Sequence, residues 1–291
     1  MEQIKSSELI INSDGSVFHL HLRPEHISDT ILLVGDPGRV DLVASFFDDV
    51  EPRIANREFV TRTGTYKGKR ITALSTGIGT DNIDIVVNEL DALVNIDLET
   101  RTPKKEHTKL NLIRIGTSGA LQGNIPVDSF LLSAKSIGFD GMLNFYGDRD
   151  NVSDLEFEKA FKNYVEWNEK LASPYVVPAS EELIDRLNGQ DMIQGVTISA
   201  NGFYGPQGRV LRLQTVDPDL NDKIEKFEFE NQKITNYEME SSAIFGLSKL
   251  LGHNAACVCA IIANRVSKDA SKDYKPTVKK LIETVLDRLA K

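Results

Sequence analysis

The sequence predicts an α/β sandwich on a largely parallel or mixed sheet, and three observations carry that prediction. Short apolar runs ending in glycine or small polar residues recur along the chain. The stretches between them space their apolar residues at helical intervals. No linker, internal repeat or low-complexity tract interrupts this alternation over 291 residues, which points to a single domain spanning 1–291.

The predicted strands, in order, are Ile31–Val34, Ile71–Ser75, Leu110–Ile115, Phe130–Ala134, Val196–Ser199, Ile234–Tyr237 and Ala255–Ala263. Helical spacing covers Asp84–Leu93, with Ile85, Leu90 and Leu93 among charged residues, and Ser241–Leu251. It covers Val278–Leu289 as well, where Val278, Leu281, Ile282, Val285 and Leu289 form one stripe. Two segments read as additions to this frame. Asp97–Lys109 is charged and carries Pro103, as an exposed loop or helix extension would; Gly147–Pro178 holds Phe157, Phe161, Tyr164 and Trp167 near helical spacing, as a packing helix would.

Composition excludes several classes of function. Hydrophobic residues make up 41% and charged residues 26%, ordinary for a globular protein, with no apolar run long enough to span a membrane and no secretory leader pattern. The net charge of −9 argues against general nucleic-acid binding. Cys257 and Cys259 fall in one apolar run; placing them on opposite faces of a strand leaves no mutual disulfide or shared metal, and suggests a reduced, cytoplasmic protein. The five histidines are scattered without metal-ligand spacing.

Candidate chemistry lies where strands end. Gly35-Asp36-Pro37-Gly38-Arg39 follows an apolar strand, and such a turn opening a helix exposes backbone N–H groups beside an arginine fork. It is neither a Walker loop nor a dinucleotide fingerprint, and an ordinary strand–helix turn fits it equally. Arg114 stands inside a Leu/Ile-rich strand ahead of Gly116-Thr117-Ser118-Gly119, so it needs a buried carboxylate or a bound anion. Glu238-Met239-Glu240 offers carboxylate acceptors suited to vicinal hydroxyls, or a helix first-turn acid. Gly202-Phe203-Tyr204-Gly205-Pro206-Gln207-Gly208-Arg209 is a shaped loop whose amide, guanidinium and ring can read a planar heterocycle. His19 and Arg57 give weaker signals.

Taken in order, Gly35–Arg39, Ser75–Gly79, Arg114–Gly119 and Tyr237–Ser241 resemble the trimeric and hexameric nucleoside phosphorylase superfamily over nearly the whole chain. Within it, Phe203–Arg209 and Ile262–Arg265 resemble the uridine phosphorylase branch. The resemblance implies a three-layer α/β/α sandwich with a mixed central sheet. It implies a phosphate site from Gly35, Arg39, Arg114 and Thr117, joined by Arg57 of a neighbouring subunit. A ribose site follows from Glu238, Met239 and Glu240 with the neighbour's His19, and a base site from Phe203, Gln207 and Arg209 with Arg265 behind. Arg39, Arg114, Thr117, Gln207 and Arg209 would carry catalysis, on uridine and phosphate as co-substrates, with no cofactor or metal. The assembly would be a homo-oligomer, a dimer at minimum or a hexamer. Purine-specific members place an aspartate near Ala263–Asn264, and none stands there. A purine phosphorylase, a nucleosidase of the same fold and a non-catalytic nucleoside binder remain the alternatives. The chain departs from the family at Gly205-Pro206, where the usual spacing is locally reordered, and at Thr80-Asp81-Asn82, which replaces a small-residue stretch.

Overall fold

The computed structural model describes residues 3–291. Among the described residues fourteen strands occur: β1 Thr30–Val34, β2 Asp49–Val50, β3 Ile54–Asn56, β4 Phe59–Tyr66, β5 Lys69–Ser75, β6 Ile96–Asp97, β7 Thr102–Pro103, β8 Asn111–Ala120, β9 Phe130–Gly138, β10 Tyr175–Pro178, β11 Met192–Ser199, β12 Glu228–Phe229, β13 Gln232–Glu238 and β14 Asn254–Asn264. The α-helices are α1 Pro37–Ala44, α2 Thr80–Asn95, α3 Leu155–Tyr164, α4 Glu181–Leu187, α5 Leu220–Lys226, α6 Ser241–Leu250 and α7 Lys275–Ala290.

The large sheet is mixed, as expected, with the order β12-β13-β11-β9-β14-β8-β1-β5-β4-β2. Alternation along β1 shows how the layers form. Ile31 and Leu33 pack into a core with α2 and α6, whereas Leu32 and Val34 pack into a second core with α1 and α7. Helices therefore cover both faces. A third core, around Phe157, Phe161, Phe227 and Tyr237, sits at the α3 end.

The sheet also closes on itself. Strand β8 pairs in parallel with β1 and β14 along its length, while its last residues pair antiparallel with β13, Tyr237 opposite Gly119. Strands β8, β14, β9, β11 and β13 thus form a ring, which brings the C-terminal end of β13, with that of β11 beside it, against the C-terminal end of β8. Every site residue on those strands owes its position to that closure.

Several expectations change in detail. The helix predicted for Asp84–Leu93 runs from Thr80 to Asn95 and buries Ile83, Val86, Val87, Leu90 and Leu93, with Ile85 beside the stripe rather than on it. The Asp97–Lys109 segment contributes a two-stranded ribbon, β6 with β7. The aromatic segment does form a packing helix, α3, with Phe157 and Phe161 fully buried. The cysteines require a correction. Residues two apart on a strand share a face, so Cys257 and Cys259 point into the same core with their sulfurs 3.8 Å apart, both as free thiols. The Cys259 contact, and then burial, raise the Cys257 thiol well above its usual range.

Candidate active site

Five chain segments converge at the strand ends. The Gly35 turn leaves β1 and enters α1, where Asp36 caps the helix by accepting from the Gly38 N–H at 2.9 Å. Thr76–Gly79 leaves β5 and opens α2; Gly35 lies against it, so a Cβ there would stand 3.6 Å from the Gly77 carbonyl. Gly77 has a φ of +72°, and a Cβ on it would fall 2.3 Å from Asn82 Nδ2, so this loop requires glycine.

Arg114 is the centre of the site. Its residue is 6% exposed, and its guanidinium folds back over Gly116, where a side chain would meet Nη2 at 3.2 Å. Nε donates to Glu238 Oε2 at 2.9 Å and Nη2 pairs with Glu240 Oε2. Burial alone would lower its pKa, but Glu240 and Glu238 hold it above the usual value. Of the two expected alternatives, a buried carboxylate or a bound anion, two carboxylates are present, yet Nη1 is buried without a hydrogen-bond partner. Arg39 approaches from α1, with Nη1 donating to the Ile115 carbonyl at 3.3 Å. Burial and the positive charge of Arg114 both lower its pKa. Two cations held that close form a site suited to an anion. Thr117 is half-buried three residues beyond Arg114 on β8.

The two carboxylates of Glu238-Met239-Glu240 do different things. Glu238 is 3% exposed and both its oxygens are engaged. Oε1 accepts from the hydroxyls of Ser199 and Ser241, and Oε2 from Arg114 Nε and the Glu240 N–H. In this arrangement it has little left to offer a ribose hydroxyl. Glu240 is held more sparsely, by the Gly79 N–H at 2.8 Å and by Arg114. Burial pushes its carboxyl up to about 7; Glu238 adds to this, while Arg114 and the Gly79 N–H pull the other way. Met239 is half-buried between them.

At the other end, the 202–209 loop forms a 3-10 turn over Gly205–Gln207, and Gly208 closes it at a φ of +69°. Gln207 is buried, with its Oε1 accepting from Arg209 Nη1. Arg209 also donates to the Phe203 carbonyl at 2.6 Å and lies over the Phe203 ring, 3.8 Å from its centroid. One face of the expected stacking ring therefore carries the guanidinium. Arg265 lies over Tyr237, with a buried, unpartnered Nη1. Burial and then the charge of Arg265 lower the Arg209 pKa, so this end too gathers two cations. A cavity of about 290 Å³ flanks the loop on another side, against Phe139, Trp167 and Leu171; Phe203, Gln207 and Arg209 are not among its walls.

Asn264, near the position where purine-specific members carry an acid, has a structural task. Its Nδ2 donates to the Gln122 and Ile125 carbonyls, and its Oδ1 accepts from the Val266 and Ser267 N–H groups. His19 and Arg57 lie together on a separate patch. His19 Nδ1 is 2.6 Å from Glu89 on α2, its carbonyl accepts from Asn56, and Arg57 sits 5.9 Å from the Phe18 ring. Sequence reasoning missed Ser199, Ser241 and Asn221; Asn221 holds the Gln207 carbonyl and the Tyr237 hydroxyl. Nothing local in the sequence marks Ser199 or Asn221, whose partners are distant in sequence, whereas Ser241 stands only three residues from Glu238.

Asp91, His107 and His253 make the one cluster with metal-like spacing among the described residues. The Leu110 N–H donates to His253 Nδ1 at 3.2 Å, which leaves Nε2–H to donate to Asp91 at 3.1 Å. A ring committed on both nitrogens is a structural histidine, poorly disposed to ligate a metal.

Paired cations and buried carboxylates thus gather where the strands end, with a second pair of cations at the 203–209 loop. The Phosphorylase superfamily profile matches residues 29–291, and the chain belongs to that family. A uridine phosphorylase of Thermococcus kodakarensis is 29% identical over 280 residues, covering 94% of this chain and 86% of that protein. A DeoD-type purine nucleoside phosphorylase of Shewanella denitrificans is 29% identical over 261 residues, covering 89% and 92%. Among solved structures, a Trypanosoma brucei nucleoside phosphorylase described as showing uridine phosphorylase activity aligns with a TM-score of 0.88 and 29% identity, covering 97% of this chain and 99% of that one. No described helix is long and apolar enough to cross a membrane.

Proposed function

We propose that this protein is a uridine phosphorylase, converting uridine and phosphate to uracil and ribose 1-phosphate. The observation that carries the reading is the presence of two cation pairs, Arg39 with Arg114, which also holds Glu240, and Arg209 with Arg265. Breaking the bond from C1′ to N1 leaves positive charge on the ribose and sends the electron pair to uracil. Phosphate at Arg39 and Arg114, with Gly35 and Thr117 beside them and Arg57 from a second subunit, would stabilise that positive charge. One of its oxygens would then bond to C1′. Gln207 and Arg209, with Arg265 behind, would donate to the uracil oxygens, so no general acid is required. Glu240 and Met239 would hold the ribose, with the second subunit's His19 at the 5′-hydroxyl. Glu238 acts as the anchor of Arg114 rather than as a ribose ligand. Phosphate is a co-substrate and no cofactor enters. A homo-oligomer, at least a dimer, completes the site, and the reduced thiols suit the cytoplasm.

The purine alternative rests on the purine nucleoside phosphorylase relatives. Against it, Asn264 is bound into the 122–125 and 265–267 segments and offers no acid to a leaving purine. Side-by-side rates on uridine, thymidine and inosine, with and without phosphate, test the reading. Uridine cleavage that needs phosphate is expected, and a preference for inosine would overturn it.

A further inference from the structure

A chain of buried hydroxyls stands directly behind Glu238, and the reaction as written does not use it. Ser199 ends β11 and is fully buried. Its hydroxyl donates to Glu238 Oε1 and accepts from the Ser242 N–H at 2.9 Å. Ser241 Oγ donates to the same Oε1 at 2.7 Å and meets Ser136 Oγ on β9 at 2.7 Å. Ser242 Oγ continues to Asp140 Oδ2 at 3.0 Å and to the Tyr175 hydroxyl at 3.1 Å. Strand β11 and the first turn of α6 thus supply hydroxyl donors to one carboxylate, and that carboxylate grips Arg114 Nε.

We propose that Ser199 is a positioning residue for phosphate: its hydroxyl fixes Glu238, which fixes the plane of the Arg114 guanidinium and leaves Nη1 unpartnered for the anion. This rests on the phosphorylase reading of the site. The balance of donors and acceptors supports it. Glu238 is ionised and acceptor-only, and Ser199 has one proton, which goes to Oε1 because its own acceptor side is taken by the Ser242 N–H. Arg114 can swing about its Nε only if that carboxylate moves, and the hydroxyl chain holds the carboxylate from behind. Burial works against the charge on Glu238, but Arg114, Ser199 and Ser241 outweigh it and hold its pKa below the usual range. The titratable groups facing it are Arg114 from β8, Glu240 ahead of α6, Cys257 from β14 and Tyr175 from β10.

The test compares Ser199→Ala with Ser133→Ala, a second fully buried serine whose hydroxyl pairs with Thr197 instead of Glu238. Ser199→Ala is expected to raise the KM for phosphate about ten- to a hundredfold, the worth of a hydrogen bond to a buried charge. Its KM for uridine should rise far less, and the acid limb of kcat/KM for phosphate should move to higher pH as Glu238 loses a donor. Ser133→Ala should leave both KM values and the acid limb in place. If Ser199→Ala does not fold, Ser241→Ala removes the other hydroxyl on Oε1 and is read in the same way. An unchanged phosphate KM and acid limb in a folded variant would overturn the proposal. Failure of the wild type to cleave uridine with phosphate would instead overturn the functional reading beneath it.

Discussion

At the scale of single residues, charge and its neighbours decide the chemistry. Arg209 is held by the Phe203 carbonyl and Gln207 Oε1, and on the proposed function it and Gln207 would donate to a leaving uracil anion. Arg209→Ala is expected to cut turnover on uridine about a hundredfold or more, the usual worth of a pre-organised donor to a developing anion, with an unchanged melting temperature. Glu240 carries a pH signature. Burial pushes its carboxyl up to about 7, above the ordinary 4.5; on the proposal that its ionised form accepts the ribose hydroxyls, kcat/KM for uridine should rise through pH 7. The stability effect has the opposite slope. Between 4.5 and about 7 the folded protein keeps a proton that the unfolded chain has released, so this contribution is full below 4.5 and lost as pH rises through 7. Thermal melts of Glu240→Gln across that window should lack the slope. The need for a partner at Arg114 was legible in the sequence, since an arginine in an apolar strand cannot stay bare. That Glu238 and Glu240 would divide the work was not legible, because Ser199 and Gly79 reach them only through the fold.

At the scale of elements, the positions of the apolar strands were legible and their ends were not. The run Leu110–Ile115 belongs to β8, Asn111–Ala120, whose second half is small and polar and is held in the sheet by β14 and β13. Strand β4, with Thr61, Thr63 and Thr65 along it, has no apolar run, yet β5 pairs with it over six residue pairs. The base loop was read from its glycines, and one of them gives a test. Gly208 has a φ of +69°, and a Cβ there would fall 2.3 Å from Asn221 Nδ2, the group that holds the Gln207 carbonyl. Gly208→Ala should therefore lower kcat/KM for uridine about tenfold or more by shifting Gln207 and Arg209. The melting temperature should move little, because the loop is exposed. Full activity in that variant would show that the loop tolerates rearrangement.

At the scale of the whole molecule, the sequence indicated a mixed sheet between helical layers and one domain; it did not indicate the ring closed by β13 on β8. A two-residue antiparallel pairing between distant strands has no signature in periodicity. The closure matters because it places Ser199 and Glu238 against Arg114. His19 and Arg57 raise the question of assembly, since they share a patch with Phe18 and are proposed to serve a neighbouring site. If so, mixing inactive Arg57→Ala and Arg114→Ala protomers under subunit exchange should restore roughly a quarter of wild-type activity, as one intact site forms in half of the random dimers. No recovery would mean that each protomer is complete alone. The central claim is that phosphate, rather than water, accepts the ribose. The most direct measurement follows the phosphorus signal while the wild-type protein acts on uridine in phosphate buffer. Ribose 1-phosphate should form in step with uracil, and free ribose with an unchanged phosphate signal would contradict the account.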